Sequence, residues 1–221
     1  MRRRVDADDP SITLREADHA DVPAMLALKA ALPLREGSRG GFLLGTTEAG
    51  YHALVDGGIV WTLRFDDQLV GFASALRDPA LRASPLWERR PQIAWMPGFG
   101  AIDLDAMKIG YFDQIAVRPS AGPRLFAPAL GLRVLADLLD DGHEHVITTT
   151  VETPILNRVA LAFLERLGGL RIAAVDEVYP EVGPLTSAIH YLNAAVIRDR
   201  IASARAEGRP TLLRLLDLAG V

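Results

Sequence analysis

Two apolar, strand-like runs, Ile59 to Phe65 and Leu69 to Leu76, face each other across Asp66-Asp67-Gln68, and this pairing constrains the fold more than any other stretch. Aspartate tolerates the backbone of a tight turn, so the run–turn–run pattern reads as a β-hairpin. The middle of the chain is thereby committed to antiparallel sheet, and the other elements are read around it.

Upstream, residues 1–10 form a polar lead, and Ile12-Thr13-Leu14-Arg15 alternates as a short strand. Asp18 then stands as the N-cap of a helix carrying Met25, Leu26, Leu28 and Leu32, with acidic Asp21 in its first turn. A glycine-rich loop, Gly37 to Gly45, leads to a second helix over Thr47 to Val55. Downstream, residues 78–108 hold Pro79, Pro85, Pro91 and Pro97-Gly98 among Trp87, Trp95 and Phe99. They read as a long, partly ordered insertion of functional use.

A strand over Ile109 to Val117 follows, then a helix with Leu130, Val134, Leu135, Leu138 and Leu139 on one face. Val146 to Val151 is β-branched and reads as a buried strand, and Leu156 to Leu167 as an amphipathic helix stopped by Gly168-Gly169. Strand-like stretches at Leu170 to Val175 and Ala188 to Leu192 complete one domain over 11–192. A helical extension over 193–221 is expected to pack on that domain or on a symmetric partner, as a homodimer.

Composition narrows the chemistry. The chain has no cysteine, which removes disulfide scaffolds, thiolate zinc sites and cysteine nucleophiles. A net charge of −4 offers no general field for a phosphate backbone, so nucleic acid is not an expected partner. No window is apolar enough for a membrane span and Met1-Arg2-Arg3-Arg4 lacks a signal-like apolar core, so the expected location is cytoplasmic.

Two motifs carry a resemblance. Ile115-Ala116-Val117-Arg118-Pro119 is similar to the exit of the fourth strand of the Gcn5-related N-acetyltransferase (GNAT) superfamily. Asn157-Arg158-Val159-Ala160-Leu161-Ala162-Phe163-Leu164-Glu165-Arg166-Leu167-Gly168-Gly169 is similar to that family's later helix. The resemblance implies an α/β fold: a mixed, mostly antiparallel central sheet flanked by helices, with the fourth and fifth strands splayed apart.

It also implies acetyl-coenzyme A as co-substrate. The pantetheine arm would lie along Ile115, Ala116 and Val117, and the pyrophosphate at a helix N-terminus near Arg124, Leu125, Phe126, Ala127 and Ala129. Pro128 fits the first turn of that helix, where a missing N–H costs nothing. Asn157 and Phe163 would complete the coenzyme site.

Acetyl transfer needs an amine in line with the thioester and a route for its proton. Asp113 and then Glu152 are the candidate bases, each a carboxylate that burial would make a better proton acceptor. Leu164 occupies the place of the family's tyrosine acid, so either Tyr191, Tyr111 or Tyr179 substitutes, or the thiolate leaves unaided, or catalysis is lost. His190 is a candidate relay, whereas His143-Glu144-His145 lacks a third ligand and no metal is expected. Two readings stay open: an N-acetyltransferase acting on a small-molecule or peptide amine, and a catalytically weakened acyl-CoA-binding sensor or scaffold.

Overall fold

The computed structural model describes residues 11–34, 41–100, 103–119, 122, 125–179 and 182–221. The hairpin expected at the centre is there: β2 (Ile59–Phe65) and β3 (Gln68–Leu76) pair antiparallel. Its loop is tighter than the sequence reading, because Gln68 already belongs to β3. Asp66 and Asp67 take φ of 47° and 62°, the left-handed pair that matches the twist of a two-residue hairpin. The Asp66 carboxylate also accepts from the Ser11 amide at 2.9 Å, tying the turn to the start of β1 (Ile12–Glu16).

Around this hairpin grows an eight-stranded sheet in the order β1-β2-β3-β5-β6-β8-β7-β4. The added strands are β4 (Ala94–Trp95), β5 (Ile109–Val117), β6 (His145–Thr153), β7 (Leu170–Tyr179) and β8 (Gly183–Asn193). Every neighbouring pair is antiparallel except β5 with β6. The strand expected to be fourth is thus β5, since the insertion contributes a strand of its own.

Helices cover both faces. On one, α1 (Val22–Ala31) and α2 (Glu48–Gly57) bury Met25, Leu28 and Tyr51 against Phe72 and Ala116. Asp18 caps the short 3-10 turn before α1 in a reciprocal capping box with Asp21. On the other face, α5 (Ala127–Asp140) lays Leu130, Val134, Leu135 and Leu138 over Phe112, Val70 and Ala73. Each such side chain contributes about 1.5–3 kcal/mol on leaving water, which makes this face the main stabilising layer.

Beside α5 lie α6 (Arg158–Arg166), α7 (Ala194–Glu207) and α8 (Pro210–Ala219). Buried Ile197 and Leu216 join the α5 core, so the C-terminal extension packs on its own domain. Gly131 sets the spacing of α5 and α6: a Cβ there would stand 2.6 Å from the Phe163 ring.

The insertion is a chain of short ordered elements: α3 (Asp78–Arg82), α4 (Pro85–Glu88), two 3-10 turns and β4, which pairs with β7. Its first residue is held twice, because Asp78 accepts from the Ile109 amide at 2.9 Å and its own N–H donates to His143 Nε2 at 3.1 Å. Arg82 and Arg90 both stack on Trp87, their guanidinium carbons 4.6 and 5.0 Å from the ring centroid.

Candidate active site

The site begins where β5 and β6 part. Their parallel ladder covers Ile109–His145, Gly110–Val146 and Tyr111–Ile147 and then ends. The cause lies on the other edge of β5. Gln114 pairs with Ser74 and Phe112 with Ala75, so Asp113 is one residue too many for its partner strand. A bulge of this kind bends the strand and leaves its neighbour behind.

A cleft of about 1370 Å3 opens between the separated strands and extends past α6 to the C-terminal helices α7 and α8. Asp113 to Val117 form one wall and Thr148 to Val151 the other. At one end stand Ala127 and Pro128, the first turn of α5, whose N-cap Phe126 makes no side-chain cap bond. Such a turn keeps backbone donors and a positive helix end for an anion, and Pro128 adds no unsatisfied donor there. Arg158 and Arg166 of α6 and Arg200 of α7 also line the cleft.

Asp113 sits at the fork in a defined polar setting. Its Oδ2 accepts from Ser74 Oγ at 3.0 Å and from Gln114 Nε2 at 2.7 Å, and Tyr51 Oη donates to Gln114 Oε1 at 3.2 Å. Burial pushes its carboxyl up to about 6, although the two hydrogen bonds favour the charged form. A carboxylate with that value is ionised near neutrality yet basic enough to take a proton.

Burial likewise raises the hydroxyls of Tyr51 and Tyr111, and that of Tyr179 up to about 12. Tyr179, Glu177 and Ser187 face the cleft from β7 and β8, and Gly41 to Gly45 from the loop before α2.

The other candidates separate into those at the cleft and those elsewhere. Ile115, Ala116, Val117, Ala127, Asn157 and Phe163 line it. Asn157 Oδ1 also accepts from the Ala160 amide at 3.4 Å, capping α6. Ala129 is fully buried on the core face of α5, Phe126 packs edge-on against Phe65, and Leu125 is exposed. Arg124 lies outside the described residues.

Two catalytic candidates lie elsewhere. Glu152 is gripped by Arg171, Nε to Oε1 and Nη2 to Oε2 both at 2.7 Å. That pair holds its carboxyl below the usual value, the reverse of what a base requires. Tyr191 sits at the zipped end of the sheet, paired with Ile147, with its hydroxyl 2.8 Å from His145 Nδ1.

His190 is buried with Nε2 2.9 Å from Thr150 Oγ1, and burial lowers its pKa. No cluster of three or more metal-ligating side chains occurs among the described residues. No helix among them is long and apolar enough to cross a membrane.

No protein-family model matches the chain, and no curated protein matches it in sequence. Solved structures do match in shape. The ribosomal-protein-S18-alanine N-acetyltransferase of Escherichia coli superposes with a TM-score of 0.56 at 16% identity, over 83% of this chain and 94% of that one. A protein assigned to the GNAT family of acetyltransferases from Desulfovibrio desulfuricans gives 0.54 at 16% identity, over 83% and 99%. A chain of the NatC complex bound to Gag peptide and CoA gives 0.54 at 11% identity, over 83% and 98%. Sheet order, the forked strand pair and these neighbours together give the chain the fold of the Gcn5-related N-acetyltransferase superfamily.

Proposed function

We propose that the protein transfers an acetyl group from acetyl-CoA to a primary amine of a small molecule or peptide, with Asp113 as the base. The reading rests on one observation: an ionisable carboxylate raised to about 6 stands at the fork of β5 and β6, in the wall of a cleft deep enough for a nucleotide-bearing thioester. The NatC neighbour, bound to CoA and a peptide, supports that choice of ligands.

In this reading the thioester arm runs along Ile115 to Val117, whose edge toward β6 is unpaired. The pyrophosphate meets the first turn of α5, and Arg158, Arg166 and Arg200 balance the remaining phosphate charge. The amine enters from the side of Tyr179 and the loop over Gly41 to Gly45. Asp113 takes its proton, the nitrogen attacks the thioester carbon, the C–N bond forms and the C–S bond breaks. Coenzyme A leaves as a thiolate. Alkyl thiols titrate near ~8.5, so that departure is feasible without an acid where Leu164 stands.

Leu164 also favours a second reading, a CoA-binding sensor, since a buried leucine at the acid's place gives the leaving group no help. Calorimetric titration with acetyl-CoA followed by thiol release across an amine library separates the two. Micromolar binding with release that Asp113→Asn abolishes supports the enzyme. Tight binding with no release from any amine supports the sensor, and no binding at all removes both.

A further inference from the structure

Beneath the insertion lies a second, smaller cavity of about 50 Å3. Leu86 and Trp87 of α4 roof it, and Ile147, Val175 and Ile189 of the sheet form its floor. Its lining is overwhelmingly apolar. Three residues, Tyr111, Thr149 and Glu177, belong both to it and to the large cleft. Tyr111 Oη meets Thr149 Oγ1 at 2.8 Å, bridging β5 to β6 at the point where they separate. The cavity therefore adjoins the acceptor side of the fork.

The geometry points to this cavity as a specificity subsite for the acceptor: the amine bears a compact, branched aliphatic group that lodges under Trp87 while its nitrogen reaches Asp113. The inference rests on the transferase reading above.

Size and chemistry select that occupant. A void lined by hydrocarbon stays dry and takes apolar guests, and a benzene-sized one measures roughly 150 Å3. The present cavity is a third of that, room for two or three carbons such as the branched end of an isobutyl group and too small for an aromatic ring. A charged substituent is disfavoured because the charged residues on its wall are already paired, Glu177 with Arg89 at 2.9 Å and Arg90 with Asp105 at 3.4 Å.

That pair has a second role. Glu177 is buried on β7 and Arg89 comes from the end of α4, so the bridge fastens the roof of the cavity to its floor. The insertion thereby gives the subsite fixed dimensions. A rigid void discriminates between guests of different bulk better than a yielding one.

The test compares isobutylamine with methylamine in a thiol-release assay with saturating acetyl-CoA. Expected is a kcat/KM about tenfold or more in favour of isobutylamine, the worth of a few carbons in a fitted apolar pocket. Val175→Phe fills the cavity from the floor and Leu86→Trp from the roof, and either brings the ratio close to one. Acetyl-CoA affinity and Tm serve as folding checks, and the second variant answers if the first does not fold.

A flat preference in the wild type, or one that survives both fillings, overturns the subsite. If no amine is turned over, the transferase reading fails separately. Calorimetry of isobutylamine on the CoA-bound protein then decides, because binding weakened about fivefold by the fillings upholds the subsite and unweakened or absent binding overturns it.

Discussion

Ser74 Oγ on β3 donates to Asp113 Oδ2 on β5 at 3.0 Å, across the one place where the ladder between those strands slips. The bulge that separates β5 from β6 and the polar contact that steadies the candidate base are thus one local arrangement. Removing the hydroxyl takes away a bond that favours the charged carboxylate, so Ser74→Ala raises the Asp113 pKa above about 6. In kcat/KM against pH, activity rises as Asp113 loses its proton near 6, and the variant's acid limb moves to higher pH. Asp113→Asn lowers kcat by about 10²–10⁴-fold with acetyl-CoA affinity retained, measured by thiol release and calorimetry.

Glu152 behaves differently because Arg171 holds both of its oxygens. Glu152→Gln replaces an ion pair with a weaker hydrogen bond, and the pair is partly solvated. The cost falls on stability, about 0.5–1 kcal/mol by chemical denaturation. The acid limb near pH 6 stays in place, which distinguishes this carboxylate from Asp113.

His143 links pH to stability through the insertion. Its Nδ1–H donates to the Leu138 carbonyl at 3.0 Å and its Nε2 accepts from the Asp78 amide, so the ring is held neutral. Burial lowers its pKa below 6.5. As pH falls through 6.5 the unfolded chain binds the proton first, and stability present above that value declines. Asp113 acts oppositely, since its raised pKa adds stability as pH drops from about 6 toward 3.8. Comparing wild type with His143→Gln isolates the histidine: the variant loses less stability between pH 7.5 and 5.

Gly131 and Phe163 form a testable pair. A methyl at Gly131 would lie 2.6 Å from the ring, and Ile115 is also within 3.2 Å. Gly131→Ala costs about 1–3 kcal/mol by overpacking. Adding Phe163→Leu recovers part of that loss, which a double-mutant cycle of denaturation midpoints reads directly.

The sequence states the hairpin and β5 clearly because each strand is a long apolar run closed by turn residues, and α5 because its apolar residues keep a helical spacing. Even the bulge leaves a trace there: Phe112, Ile115 and Val117 face the α5 core, a spacing of three and then two where a regular strand keeps two. β4 leaves none, since two residues cannot show alternation.

Glu152 and Tyr191 illustrate a harder limit. Whether a strand-end side chain meets the cleft depends on register across β6, β7 and β8, which residue type does not encode. Glu177 is the converse, placed at the cleft by pairing with Leu185 far from any motif, while Tyr179, one of the three tyrosines offered by the sequence, comes there through its pairing with Gly183. Arg171 is invisible as a partner of Glu152 until β7 folds beside β8.

Three residue pairs, Ile109–His145 to Tyr111–Ile147, are all the backbone ladder that joins one half of the sheet to the other. Within the sheet this short joint is the only backbone pairing between the two halves among the described residues, and the α5 core is what spans them on one face. Hydrogen exchange at the amides of residues 109–111 and 145–147 therefore gauges how far ligand occupancy stiffens the joint, with slower exchange expected when the fork is filled.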